Sequence, residues 1–372
     1  MFDPNQLASP YVRTLAPYVP GKPLEELERE YGIRDSIKLA SNENPHGPGP
    51  LARAAMTKAA GDIGLYPDGN GFALKQALAR KHGCSLEHIT LGNGSNDVLV
   101  MLAEAFLTDD SEAVYSQYAF AVYPIVVQAA GAKARVAPAL RESNAMALGH
   151  DLDALRALVN ERTRLVFIAN PNNPTGTWVE ADALRRFIAS VPTTALVVVD
   201  EAYIEYVEDD SFADASRWLS EFPHLVVTRT FSKAYGLAGL RVGYALSQPA
   251  VASLMNRVRQ AFNVNTIALA AACAALEDHA HLTLSVATNR DGMAQLERGL
   301  ARLSVRRYPS RGNFVLIDCK RPAGPVYEAM LRQGVIVRPV GAYQLPDHLR
   351  LTIGTREQNE RMLAALEHAL RS

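Results

Sequence analysis

The stretch "ALVVVD", residues 195–200, runs five apolar residues together and closes them with a carboxylate. A strand wetted on one side alternates apolar with polar residues, so an unbroken apolar run points to a strand covered on both faces. The pattern recurs. "RLVFIAN" (164–170), "HLVVTRT" (224–230), "RVGYALS" (241–247), "EHITLG" (87–92) and "AVYS" (113–116) are short β-rich runs, with helical patterns such as "NDVLVMLAEAFL" (96–107) and "VEADALRRFIAS" (179–190) among them. Strands alternating with helices give an α/β fold built on a mostly parallel sheet between helical layers.

Outside this core the composition changes twice. The first forty residues hold Pro4, Pro10, Pro17, Pro20 and Pro23 around one amphipathic patch, "LEELEREYG" (24–32). They read as an extended arm, of a kind that often crosses to a partner subunit. Beyond about residue 265 come long Ala-, Leu- and Arg-rich helices, then "RGNFVLIDC", the helix "GPVYEAMLRQG" and the paired runs "VIVRPV" and "HLRLTIG". The expected division is residues 1–40 as an arm and part of a small domain, 41–265 as a large ligand-binding domain, and 266–372 as a smaller α+β domain, with a cleft between the two domains.

The 372-residue chain carries 38 basic and 39 acidic side chains, so nothing in its net charge of −1 suits nucleic acid or an anionic membrane, and small-molecule partners are expected. Cys84, Cys273 and Cys319 are too few and too scattered for a disulfide framework or a C-x-x-C motif, which suits a reducing cytoplasm. The longest apolar run, "IALAAACAAL", has ten residues, whereas a membrane span needs about twenty. No signal-like segment opens the chain, and neither export nor membrane insertion is expected. His279 and His281 lie two apart on a helical pattern and do not share a face, so no catalytic metal is expected.

Ligands of open α/β sheets bind beyond the carboxyl ends of the strands. The residues closing the runs are accordingly informative. Asp200 ends "ALVVV", "NPNNPTG" follows "RLVFIA", and Ser232 and Lys233 follow "HLVVTRT". A carboxylate at the end of a buried strand needs a cation or several donors to face it. "GNGSND" (92–97), before an apolar helix, offers backbone N–H groups and the positive end of a helix dipole, with Ser95 or Asn96 expected at the cap. Arg241, in a glycine-bounded loop, supplies a bidentate partner for phosphate. A phosphate for the cradle and Arg241, a pyridinium nitrogen for Asp200 and an aldehyde for Lys233 are combined in one ligand, pyridoxal 5′-phosphate (PLP).

"NPNNPTG", "VVVDEAYIEY", "TFSKAYGLAGLRVGY" (230–244) and "LRLTIGTREQNERML" occur in an order and spacing that resemble the fold-type I PLP-dependent aminotransferases. The resemblance implies a large domain with a mostly parallel seven-stranded sheet, and a homodimer. It further implies that Lys233 bonds the cofactor aldehyde and moves the substrate proton. Asp200 would face the ring nitrogen, and Asn173 and Tyr203 the phenolic oxygen. The phosphate cup would comprise Gly94, Ser95, Asn96, Thr230, Ser232 and Arg241. The family's P-T-[FY]-x-x-Y appears here as "YAFAVY" (118–123), which puts Phe120 over the ring with Tyr118 as competitor. Tyr66, in "LYPDGNGFALKQALA", resembles the tyrosine that reaches the neighbouring subunit's cofactor phosphate.

Within that family, "YVPGKP" (18–23), "SNENPHGP" (41–48) and "GVIVRPV…HLRLTIGT" resemble the branch acting on histidinol phosphate with 2-oxoglutarate or glutamate as the other substrate. On that resemblance Arg350 and Arg338 hold the anionic end of the substrate and Tyr18 closes over its imidazole, with Asn42 and Glu43 at the same end of the pocket. An aromatic amino acid transaminase is the nearest alternative, since Arg350 equally suits a carboxylate. A phosphothreonine-type decarboxylase and a non-catalytic effector-binding module of the same fold stand further off.

Overall fold

The computed structural model describes residues 2–209, 212 and 214–371. Seven strands form the main sheet: β1 (Ile89–Gly92), β2 (Glu112–Ser116), β3 (Lys133–Ala137), β4 (Thr163–Ala169), β5 (Leu196–Asp200), β6 (Leu225–Thr230) and β7 (Gly243–Ser247). Their spatial order is β1-β7-β6-β5-β4-β2-β3, and only β7 runs against its neighbours. The expected mostly parallel sheet is what forms.

Side chains alternate across a strand, so each apolar run is shared between two cores. Val166, Ile168, Val197, Val199, Val227 and Leu246 face one layer, which includes helices Phe72–His82, Ala181–Ser190 and Thr266–Glu277. Leu165, Phe167, Val198, Val226 and Ala245 face the other, with helices Ser95–Phe106, Val122–Ala129 and Pro249–Val258. Each fully buried valine or leucine of this kind stabilises the fold by about 1.5–3 kcal/mol. The alternation also orients the strand ends. Asp200 has the parity of Val198 and Thr228 that of Val226, which sends both toward the second layer.

A separate apolar cluster gathers Leu296 and Leu300 of helix His279–Arg302, Val315 and Ile317, Leu349 and Leu351, and Met362 and Leu366 of helix Arg356–Arg371. Its four-stranded antiparallel sheet runs Arg338–Pro339, His348–Thr352, Phe314–Asp318, Arg306–Arg307. The N-terminal segment joins this cluster. Ile37–Lys38 pairs in parallel with Val335–Ile336, and Thr352 N donates to Leu39 O at 3.0 Å. The residues that follow, Ala40 to Asn42, are thereby led to the carboxyl edge of the main sheet. Among the described residues no helix is long and apolar enough to cross a membrane.

Candidate active site

Beyond the ends of β4, β5 and β6 lies a cavity of about 410 Å³, walled on the other side by Ala40–Asn42, Arg338 and Arg350. Asp200 closes β5 at its inner wall. Thr228, its register partner on β6, donates from Oγ1 to Asp200 Oδ1 at 2.9 Å, and Tyr123 donates its phenol proton to Oδ2 at 2.9 Å. Burial pushes the Asp200 carboxyl above the ordinary carboxylate range, while the two hydroxyls pull it back.

Lys233 follows β6, and its Nζ donates to Ser41 O at 2.9 Å. The residue keeps some solvent contact through the cavity, yet burial of its amine and the nearby Arg350 guanidinium bring it down to about 7. A large fraction is therefore a neutral, nucleophilic amine near neutral pH. Its Nζ stands 5.8 Å from the centre of the Tyr203 ring. Tyr203 OH accepts from Asn42 Nδ2 at 2.9 Å, and burial holds that phenol up at about 12. Asn42 takes a left-handed backbone, φ +56°, a conformation Asn tolerates better than most residues. Thr352 fixes it twice, accepting from Asn42 N and donating to Asn42 Oδ1, each at 3.0 Å.

Ser95 and Asn96 open helix Ser95–Phe106 at the cavity wall, opposite Thr230, Ser232 and Arg241. The cap is Gly94, at φ +83°, and neither Ser95 nor Asn96 occupies it as expected; glycine wins because only it takes this backbone conformation cheaply. A Cβ on Gly94 would stand 2.4 Å from Arg241 Nη2, and one on Gly243 would stand 2.4 Å from Ser95 N. Gly94 thus lies beneath the arginine instead of on the cavity wall. Arg241 itself sits at φ +56°, a conformation costing about 1–3 kcal/mol in a residue other than glycine. Its Nη1 donates to Ala238 O at 3.1 Å and, more loosely, to Ser232 Oγ at 3.4 Å.

At the opposite end Arg350 is 5 % exposed and its partners are neutral. Nη1 donates to Asn173 Oδ1 at 2.5 Å and Nη2 to Ala40 O at 2.6 Å, while buried Nε has no hydrogen-bond partner. Burial pulls this guanidinium below the ordinary arginine range. Arg338, its cross-strand partner, donates to Val19 O at 2.7 Å and lies 5.7 Å from the Tyr18 ring. Two guanidiniums and a half-exposed tyrosine thus meet at one rim.

Some expectations need amending. Phe120 lines the cavity and Tyr118 does not; the latter packs beside Tyr308 and Leu316. Glu43 turns away to pair with Lys38 Nζ at 2.6 Å, leaving only Asn42 on the wall. Tyr66 is 82 % exposed, stacks on Phe262 and is absent from its own chain's cavity. Three residues went unassigned by sequence reasoning: Tyr123, Thr228 and Tyr343. Thr228 has a signal in the two-residue period that places it on the face of Thr230, and Tyr123 in the last tyrosine of "YAFAVY". Tyr343, a buried wall residue from a 3-10 turn, carries none.

The donor set fits a phosphorylated pyridine aldehyde. A helix N-terminus with Arg241 suits the phosphate, a buried carboxylate suits a ring N–H, and a neutral lysine suits the aldehyde. The orphaned Nε of Arg350 leaves a donor for an anionic substrate.

Comparison with known proteins agrees with this chemistry. Residues 34–366 match the family model described as Aminotransferase class I and II. The Pseudomonas aeruginosa protein named histidinol-phosphate aminotransferase 2 is 55% identical over 100% of this chain and 99% of its own length. A Nitrosococcus oceani protein, histidinol-phosphate aminotransferase 1, is 53% identical over 98% of this chain and 97% of its own. Among solved structures, the histidinol-phosphate aminotransferase of Sinorhizobium meliloti in complex with pyridoxal-5′-phosphate matches with a TM-score of 0.89 and 31% identity, covering 98% of this chain and 97% of that one.

Proposed function

The chain belongs to the class I and II aminotransferases, and from that membership we propose that it carries the amino group of L-histidinol phosphate to 2-oxoglutarate with PLP as cofactor, a step of histidine biosynthesis. The products are imidazole acetol phosphate and L-glutamate. The observation that carries the substrate class is Arg350: a buried guanidinium with neutral partners and a free Nε, beside a second arginine on the neighbouring strand. Such a site binds phosphate or carboxylate alike, which lets two dissimilar anions use it in turn.

When bound, PLP supplies an aldehyde that bonds amines and a ring that absorbs the electrons released when a Cα–H bond breaks. The residues divide the remaining work. Lys233 would hold the aldehyde, and its amine, which burial keeps from holding a proton as tightly as an exposed lysine does, would serve as the base for the Cα proton. Asp200 would face the ring nitrogen, Asn173 and Tyr203 would hold the phenolic oxygen, and Phe120 would cover the ring. Ser95, Asn96, Thr230, Ser232 and Arg241 would hold the phosphate, with Gly94 allowing the arginine its approach. Tyr18 shields the imidazole end from water.

The same reading makes the enzyme a cytoplasmic homodimer in which Tyr66 completes the partner's phosphate site. Support for the dimer comes from Ile63, Leu65, Tyr66 and Phe72, apolar side chains 65%, 75%, 82% and 56% exposed along one stretch of chain. The division into arm, large PLP-binding domain and small domain belongs to this reading as well.

A single-turnover titration of the PLP-loaded protein tests the proposal. Loss of the lysine-bound cofactor absorbance with L-histidinol phosphate, and little with L-phenylalanine, is the expected outcome. Equal or faster conversion of phenylalanine would overturn the substrate assignment in favour of an aromatic amino acid transaminase.

A further inference from the structure

Tyr123 is fully buried and its ring cannot move freely. It stacks on Phe167 with centroids 4.7 Å apart and planes 12° from parallel, and meets Phe120 edge-on at 5.9 Å. Packing of that kind holds the phenol in one place. The place is Asp200, whose Oδ2 receives the phenol proton at 2.9 Å while Thr228 serves Oδ1 at the same distance. Neither donor is charged, and among the described residues no basic side chain pairs with this carboxylate.

A carboxylate buried without a cation tends to take up a proton, and once protonated it cannot hold one on a neighbouring base. Hydrogen bonds donated to the ionised form oppose that tendency. Burial keeps the Tyr123 phenol far above its ordinary range, so it remains a donor at any working pH. A tyrosine present only to fill the core would need no such partner, and phenylalanine would serve as well.

We propose that Tyr123 is a positioning residue: its phenol, with Thr228 as the second donor, keeps Asp200 ionised and aimed so that the carboxylate maintains a proton on a pyridine nitrogen bound in the cavity. The inference rests on the assignment of PLP made above. It assigns a task to the last tyrosine of "YAFAVY", which acts through Asp200 and touches neither cofactor nor substrate in this account.

The test uses full-length protein reconstituted with PLP labelled with ¹⁵N in the ring, since the nitrogen's chemical shift reports whether it carries a proton. Wild type and Tyr115→Phe, which removes a hydroxyl from the same apolar cluster, are expected to show the protonated shift. Tyr123→Phe keeps the ring stack and is expected to move the shift toward the unprotonated value. Its kcat should fall about tenfold, as for loss of one hydrogen bond to a charged group, with KM changed less than about twofold. Thr228→Val removes the second donor from the sheet instead of the core and is expected to move the shift the same way, which keeps the test decisive should Tyr123→Phe fail to fold. A wild-type shift retained in both variants would overturn the proposal. Wild-type protein that holds the labelled cofactor unprotonated would overturn it as well, whereas wild-type protein that takes up no labelled cofactor would instead overturn the PLP reading beneath it.

Discussion

Lys233 in the cofactor-free chain titrates at about 7 instead of the ordinary 10.5, chiefly through burial and secondly through Arg350. Between those two values the unfolded chain binds more protons than the folded one, so this group makes stability rise with pH across that window. Lys233→Met removes the effect. In thermal melts of cofactor-free protein the variant should be more stable than wild type at pH 7 and should lose that advantage as the pH approaches 10. A difference that stays flat with pH would show the amine is not held back. Arg350 calls for a different substitution. Arg350→Lys keeps a charge but loses the fork that reaches Asn173 and Ala40 together, so KM for histidinol phosphate should rise by about ten- to a hundredfold in steady-state kinetics. An unchanged KM would remove Arg350 from the substrate's anionic end.

The turn from β1 into helix Ser95–Phe106 shows how an element creates a site that no side chain of its own could make. Gly94→Ala should weaken cofactor retention by about tenfold or more in equilibrium dialysis, because a Cβ at φ +83° both strains the turn and displaces Arg241. Retention equal to wild type would mean the arginine is not needed at the cup. This element also marks what a sequence reader can see. The central strands were legible because burial on both faces writes itself as unbroken apolar residues, and Asp200, Lys233 and Arg241 stood out as charges where such runs end. Strand β3, "KARVA", escaped because it is an edge strand whose first four residues are exposed or half-buried, with no core to demand an apolar run. The Tyr123–Asp200 bond spans 77 residues and two elements, and the grip of Arg350 on Asn173 spans 177. Periodicity reports which face a residue occupies; it does not report what is brought opposite that face by the rest of the fold.

For the whole molecule the outstanding question is whether one chain makes a complete site. Tyr66 lies outside its own cavity and is 82 % exposed, stacked on Phe262 beside other bare apolar residues, an arrangement that water alone makes unfavourable. A partner copy related by a twofold axis would cover this face in both protomers at once. Mixing separates the possibilities without a structure of the assembly. Lys233→Ala and Tyr66→Ala proteins are each expected to be impaired, the first by orders of magnitude. If the subunits are dissociated together and allowed to reassociate at random, about half the dimers are mixed. Where Tyr66 serves the partner, one of the two sites in a mixed dimer has its own Lys233 and the intact Tyr66 of the other subunit, and the other site carries both defects. Activity should then recover to about a quarter of wild type, above the mean of the unmixed variants. Were Tyr66 to act within its own chain, every site in a mixed dimer would carry one defect and mixing would change nothing. Sedimentation of the mixture as a dimer must accompany the recovery, because a monomer that regains activity would refute sharing of the site between subunits.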